Sequence, residues 1–199
     1  MFPLGSVVMP YTAVPLRVFE PRYQLMLDDV VSTDSRFGTT LIERGFEVGG
    51  GDSRFGVGTL VEVVEVAELD GGHRAVVVAG IGRVEVREWL SDDPYPRASV
   101  VELPIVGEPE ADALGKLRLL LERFAALSSE LGIDGLGTAN LDVSADSRVA
   151  AYQLTALCPF SQLDRMKLLS EPRAEDMVES AIELLASHVE IVRSRLEHP

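Results

Sequence analysis

The stretch Val14-Pro15-Leu16-Arg17-Val18-Phe19-Glu20-Pro21-Arg22-Tyr23 passes from one secondary structure to another. Val14–Phe19 reads as a strand, and Glu20-Pro21 opens a helix, because the N–H that proline lacks has no intrahelical partner at the first helical position. Tyr23, Met26, Leu27, Val30 and Val31 then recur at three- and four-residue spacing, which predicts one buried helical face. Ser32-Thr33-Asp34-Ser35 ends that helix. Upstream, Val7–Met9 reads as another strand, joined to Val14–Phe19 by a Pro10-Tyr11-Thr12 turn. Downstream, Phe37–Glu43, Val57–Leu69, Arg74–Ala79, Gly82–Trp89 and Ala98–Leu103 carry the short apolar runs and imperfect alternation of strands. Asp70-Gly71-Gly72 supplies the positive-φ residues of a tight hairpin. Six or seven short strands with one helix suggest a small barrel.

After Leu103-Pro104 the period becomes helical. Leu114, Leu117, Leu121 and Phe124 place a helix over 110–131, broken by Gly132, Gly135 and Gly137. A second helix is expected from Ala145 to Leu157, stopped by Pro159. Ser161 and Asp164 have the spacing of an N-cap and an acidic third residue, opening a short helix through Leu169. Val178, Ile182, Leu185, Val189, Val192 and Leu196 form a seam for another helix, either in the same bundle or in a second copy. The chain therefore reads as α+β, with a β-rich subdomain over 1–107 and a helical bundle over 108–199.

Composition removes several classes of function. The formal net charge of −14 is shared evenly between the two halves, so neither offers nucleic acid a basic face. No stretch approaches the roughly 20 apolar residues of a membrane span, and Met1-Phe2-Pro3-Leu4-Gly5 carries neither the basic n-region nor the apolar core expected of a signal peptide. A cytoplasmic location is expected. The lone Cys158, in an apolar helical run, reads as a buried structural thiol.

Active-site motifs are imitated but not completed. Gly80-Ile81-Gly82 follows an apolar strand, yet Glu85 stands where a dinucleotide fingerprint needs its third glycine. It reads as a β-turn. Gly49-Gly50-Gly51 lacks the Gly-Lys-Ser/Thr of a phosphate loop. His73, His188 and His198 have no metal-ligand spacing, and no serine sits in a Gly-x-Ser-x-Gly elbow. Adjacent Asp28-Asp29 and Asp92-Asp93 read as solvated surface, and Lys116 and Lys167 as surface positions of amphipathic helices. No catalytic residue, metal or cofactor is expected.

Phe2-Pro3-Leu4-Gly5-Ser6-Val7-Val8 followed by Pro15-Leu16-Arg17-Val18-Phe19-Glu20-Pro21-Arg22-Tyr23 resembles the opening of the Lon protease N-terminal, substrate-binding domain, with its F-P-L start and P-L-x-x-F-E-P-R-Y block. The resemblance continues through Phe37-Gly38, Glu47-Val48-Gly49, Val57-Gly58-Thr59, Asp70-Gly71 and Tyr95-Pro96-Arg97-Ala98. Gly80 with Arg83-Val84 is similar to the family's G-x-x-R-F-x-V, with Val84 at the aromatic position. Pro159-Phe160-Ser161 and Lys167-Leu168-Leu169-Ser170 match more loosely, since Lys167 and Ser170 replace the usual glutamine and glutamate.

The resemblance implies a PUA-like pseudo-barrel followed by helices. It also implies recognition of protein or peptide clients by a stand-alone, non-catalytic member without ATPase or protease domains. Phe19, Glu20, Arg22, Tyr23, Glu47 and Arg83 become the candidate partner-binding residues. Each has a structural alternative: Glu20 would favour the positive end of the helix dipole, and Arg22 would pair with a carboxylate on a neighbouring strand. A small-molecule or RNA-binding PUA-like sensor is the second reading, opposed for RNA by the acidic charge. An uncharacterised hydrolase is the third. A homo-oligomer through the C-terminal helix completes the expected partners.

Overall fold

A computed structural model describes residues 1–45, 51, 53–133 and 143–197. They fall in two compact units, Met1–Pro104 and Ile105–Pro199.

The first unit contains β1 (Phe2–Leu4), β2 (Ala13–Val18), α1 (Pro21–Val31), β3 (Arg36–Arg44), β4 (Ser53–Glu68), β5 (Arg74–Trp89) and β6 (Ala98–Leu103). The six strands form one sheet in the order β1-β3-β4-β5-β2, with β6 also on β5. β5 is long enough to pair β2 along Arg74–Ala79 and β6 along Arg83–Trp89. β1 runs parallel to β3, and the remaining pairs are antiparallel. Between β4 and β5, Asp70–Gly72 makes a single 3-10 turn with both glycines at positive φ, 75° and 73°. Tyr23, Met26 and Leu27 of α1 are buried with Phe2, Phe37, Val61, Val76 and Val78 of the sheet. Each such side chain contributes about 2 kcal/mol by leaving water.

Two expectations are overturned here. Val7–Met9 is not a strand, and the strand lies at Phe2–Leu4 instead. Val8 and Met9 are as buried as strand residues, but side chains satisfy their carbonyls. Thr59 Oγ1 donates to Val8 O at 2.6 Å, and Thr12 Oγ1 to Met9 O at 2.7 Å. Gly80-Ile81-Gly82 is not a turn but the middle of β5. The backbone of Met9–Pro10 crosses so closely that a Cβ on Gly80 would lie 2.5 Å from Met9 O. Glycine is required there by a close approach, not by a change of direction.

The second unit contains α2 (Ala111–Glu130), α3 (Ser147–Leu157), α4 (Gln162–Ser170) and α5 (Ala174–Glu197). Gly132 follows α2 at φ 71°, while Gly135 and Gly137 lie outside the described residues. Asp146 caps α3 by accepting from Arg148 N and Val149 N, and the Ser161 hydroxyl caps α4 by accepting from Asp164 N. Val178, Ile182, Leu185, Val189 and Val192 are buried on α5, which packs on α2. The apolar seam is therefore packed within the unit. Cys158 is fully buried, and burial pushes its thiol up to about 12. Arg165 gathers the chain end of α3 by donating to the carbonyls of Ala156 at 2.8 Å, Cys158 at 2.7 Å and Phe160 at 3.3 Å. Among the described residues no helix is long and apolar enough to cross a membrane.

Candidate functional site

An open pocket of about 240 Å³ is lined by Phe2, Leu4 and Ser6, by Pro15, Leu16 and Arg17, and by Phe19, Glu20 and Tyr23. Its position follows from strand geometry. Successive side chains of a strand point to opposite faces, so a pocket touched by Pro15, Leu16 and Arg17 together lies along the edge of β2. Phe2 and Leu4 come from β1, at the other end of the sheet path. The sheet thus curls until its two terminal strands flank one opening. Pro3 and Pro15 each remove an N–H from these edge strands, which weakens any ladder that would close the gap.

The floor belongs to the core: Phe2, Leu4 and Tyr23 are buried, and the Phe2 and Tyr23 rings lie 4.4 Å apart. Phe19 forms the rim and is 44% exposed. Arg22 Nε donates to Glu20 Oε2 at 3.2 Å, and its guanidinium sits 4.5 Å over the Tyr23 ring. This pair neutralises the carboxylate in the wall. Gln24 Nε2 donates to Gly72 O at 2.8 Å, tying the start of α1 to the β4–β5 turn. Arg17 Nη2 lies 2.9 Å from His73 Nδ1. A guanidinium only donates, so Nδ1 accepts and the imidazole proton resides on Nε2.

Of the residues singled out from sequence, Phe19, Glu20 and Tyr23 line the pocket, and Arg22 braces two of them. Arg22 pairs with Glu20 on its own segment. Arg83 is buried on β5, where its Nη2 donates to Pro104 O at 3.0 Å, and it is not part of the pocket lining. Glu47 lies outside the described residues. Sequence reasoning did not single out Phe2, Leu4, Ser6, Pro15, Leu16 or Arg17 as site residues. The available signal was a proline and an arginine on alternate positions of an otherwise apolar strand, which marks an edge.

The lining offers apolar surface, one serine hydroxyl, an ion-paired carboxylate and a guanidinium, a set suited to binding. Among the described residues no group of three His, Cys, Asp or Glu could hold a metal ion.

Residues 1–187 match the family of the ATP-dependent protease La (LON) substrate-binding domain, and the chain belongs to that family. Lon protease 2 of Sorangium cellulosum is 26% identical over 201 residues, covering 97% of this chain and 25% of its own length. The Lon protease of Syntrophomonas wolfei is 30% identical over 128 residues, covering 62% and 16%. The chain spans about a quarter or less of these curated relatives. Among solved structures, the Lon N-terminal domain protein from Xanthomonas campestris superposes with a TM-score of 0.67 at 27% identity, over 93% of this chain and 95% of that one. The N-terminal domain of Mycobacterium avium complex Lon protease, at 17% identity over 94% of this chain and 97% of that one, shares the fold with a TM-score of 0.62.

Proposed function

We propose that the chain is a non-catalytic protein- or peptide-binding module that receives client segments in the opening between β1 and β2 and acts as an adaptor. The observation that carries this reading is a solvent-open pocket with a core-rooted apolar floor, in a domain of a family described as substrate-binding. Phe19 is the contact residue at the rim, with Tyr23 beneath it and the Glu20–Arg22 pair holding the wall in shape. On this reading the module works in the cytoplasm, where Cys158 stays reduced. A net charge of −14 opposes the RNA-sensor alternative, since phosphate binding is chiefly electrostatic.

The test is titration of the chain with a permanently unfolded protein, such as reduced and carboxymethylated α-lactalbumin. Phe19→Asp is expected to weaken binding at least about tenfold, the cost of losing an aromatic anchor at an interface. Because Phe19 is exposed, its thermal stability is expected to stay within about 1 kcal/mol of the parent. Undiminished binding by Phe19→Asp, or no binding by the parent chain, would remove the pocket from the account.

A further inference from the structure

Three features of the pocket bear on what enters it. It is small, and an opening of about 240 Å³ accepts one or two side chains. Its strand edges are poor templates for an added strand, because Pro3 and Pro15 each withdraw a donor. Its charge is also unbalanced. Glu20 is ion-paired with Arg22, whereas the guanidinium of Arg17 meets only the neutral His73 ring among the described residues. The pocket therefore keeps one uncompensated positive charge on its wall, in a protein whose net charge is −14.

We infer that the pocket captures the carboxy-terminal residue of a peptide, with the terminal apolar side chain on Phe2, Leu4 and Tyr23 and the α-carboxylate on Arg17. This rests on the substrate-binding reading above and names the ligand for that same site. A carboxylate and a side chain branch from a single carbon only in the terminal residue, which matches a cation on Arg17 beside apolar contact from Leu16. A run of acidic residues would bring many negative charges to an acidic protein, whereas a single terminal carboxylate brings one. An internal segment would have to continue past the opening on both sides along edges that proline has blunted.

The experiment is a ¹H–¹⁵N NMR titration of the full chain with a Gly-Ser pentapeptide ending in leucine, as the free acid and as the terminal amide. A third arm uses the amide with aspartate at the penultimate position. The free acid is expected to bind about tenfold tighter than the amide, the scale of one charge-assisted hydrogen bond at an accessible site. Shifts are expected at Arg17 and Tyr23. Arg17→Gln, an exposed substitution, is expected to reduce that ratio to about one, with thermal stability within about 1 kcal/mol of the parent.

Equal binding of acid and amide overturns the inference, as does a preference that survives in Arg17→Gln. The aspartate peptide binding as tightly as the free acid would replace a terminal by an internal carboxylate and also overturn it. If no pentapeptide binds while the unfolded protein does, the inference falls and the substrate-binding reading stands. If the unfolded protein does not bind either, both fall.

Discussion

Replacing Gly80 by alanine tests the crossing of Met9–Pro10 over β5, on which the first unit's geometry depends. The added Cβ would sit 2.5 Å from Met9 O and 3.0 Å from Pro10 Cα, both backbone atoms. Ordinary contact lies near about 3.5 Å, so the crossing segment has to retreat by about 1 Å. The retreat acts on the bonds that clamp the crossing, Tyr11 N to Gly80 O at 2.8 Å and Gly80 N to Thr12 O at 2.9 Å. Each such bond is worth about 1 kcal/mol net. Overpacking adds about 1 kcal/mol or more, so the expected loss is about 3 kcal/mol. Gly82, two residues along the same strand, is the control, because a Cβ there meets nothing within 4 Å. Gly82→Ala is expected to be neutral, or to stabilise by about 0.5 kcal/mol through the unfolded chain.

The assay is urea unfolding followed by fluorescence of Trp89, the only tryptophan, which lies on β5 and reports on the first unit. With a slope of about 1.5 kcal/mol per molar urea, Gly80→Ala should lower the midpoint by about 2 M at constant slope. Equal midpoints for the two variants would refute the reasoning. They would mean that Gly80-Ile81-Gly82 is after all a turn with no backbone pressed against it.

Four further outcomes concern the second unit. Arg165→Lys is expected to cost about 2 kcal/mol or more in thermal melts, because an ammonium cannot span the three carbonyls that the guanidinium serves; a melt matching the parent would show the fork to be dispensable. Cys158 should react with a disulfide reagent at pH 8 only as fast as the protein unfolds, and labelling at the rate of a free thiol would contradict its burial. Its raised pKa also sets a pH slope. The unfolded thiol ionises from about pH 9 while the folded one waits until about 12, so stability falls as pH rises through that window, by about 1.4 kcal/mol per unit, and Cys158→Ala should flatten the slope. Leu185→Glu places a charge at a fully buried position and is expected to unfold the helical unit by circular dichroism; a folded variant of smaller mass in light scattering would return the α5 seam to an intermolecular role.

Much of the fold was legible because it rests on local rules. Pro21 at the first turn of α1, the Ser161 cap of α4 and the two glycines of the β4–β5 turn are statements about single residues and their nearest neighbours, and each holds in the structure. The errors share a different cause. Val7–Met9 has the apolar content of a strand, but whether it joins a ladder depends on Thr59 and Thr12, one of them distant in sequence. Gly80 looked like punctuation because a glycine between apolar runs usually is, and only the path of Met9–Pro10 reveals the close approach.

The site divides in the same way. The Phe19–Tyr23 block was visible as a motif of the Lon substrate-binding family, and its departure from a plain strand or helix pattern was plain from the residues themselves. That β1 and β2 would flank one opening was not, since they are brought there by pairing with β3 and β5, at ranges no local pattern encodes. Arg17 shows the difference most clearly. Alone in sequence it is one polar position on a strand, and its uncompensated charge exists only because Arg22 folds back on Glu20 while β2 remains an edge. Periodicity and capping determine which segments become helices and strands. Which edge stays open, and which charge is left facing it, depends on contacts between residues far apart in the chain.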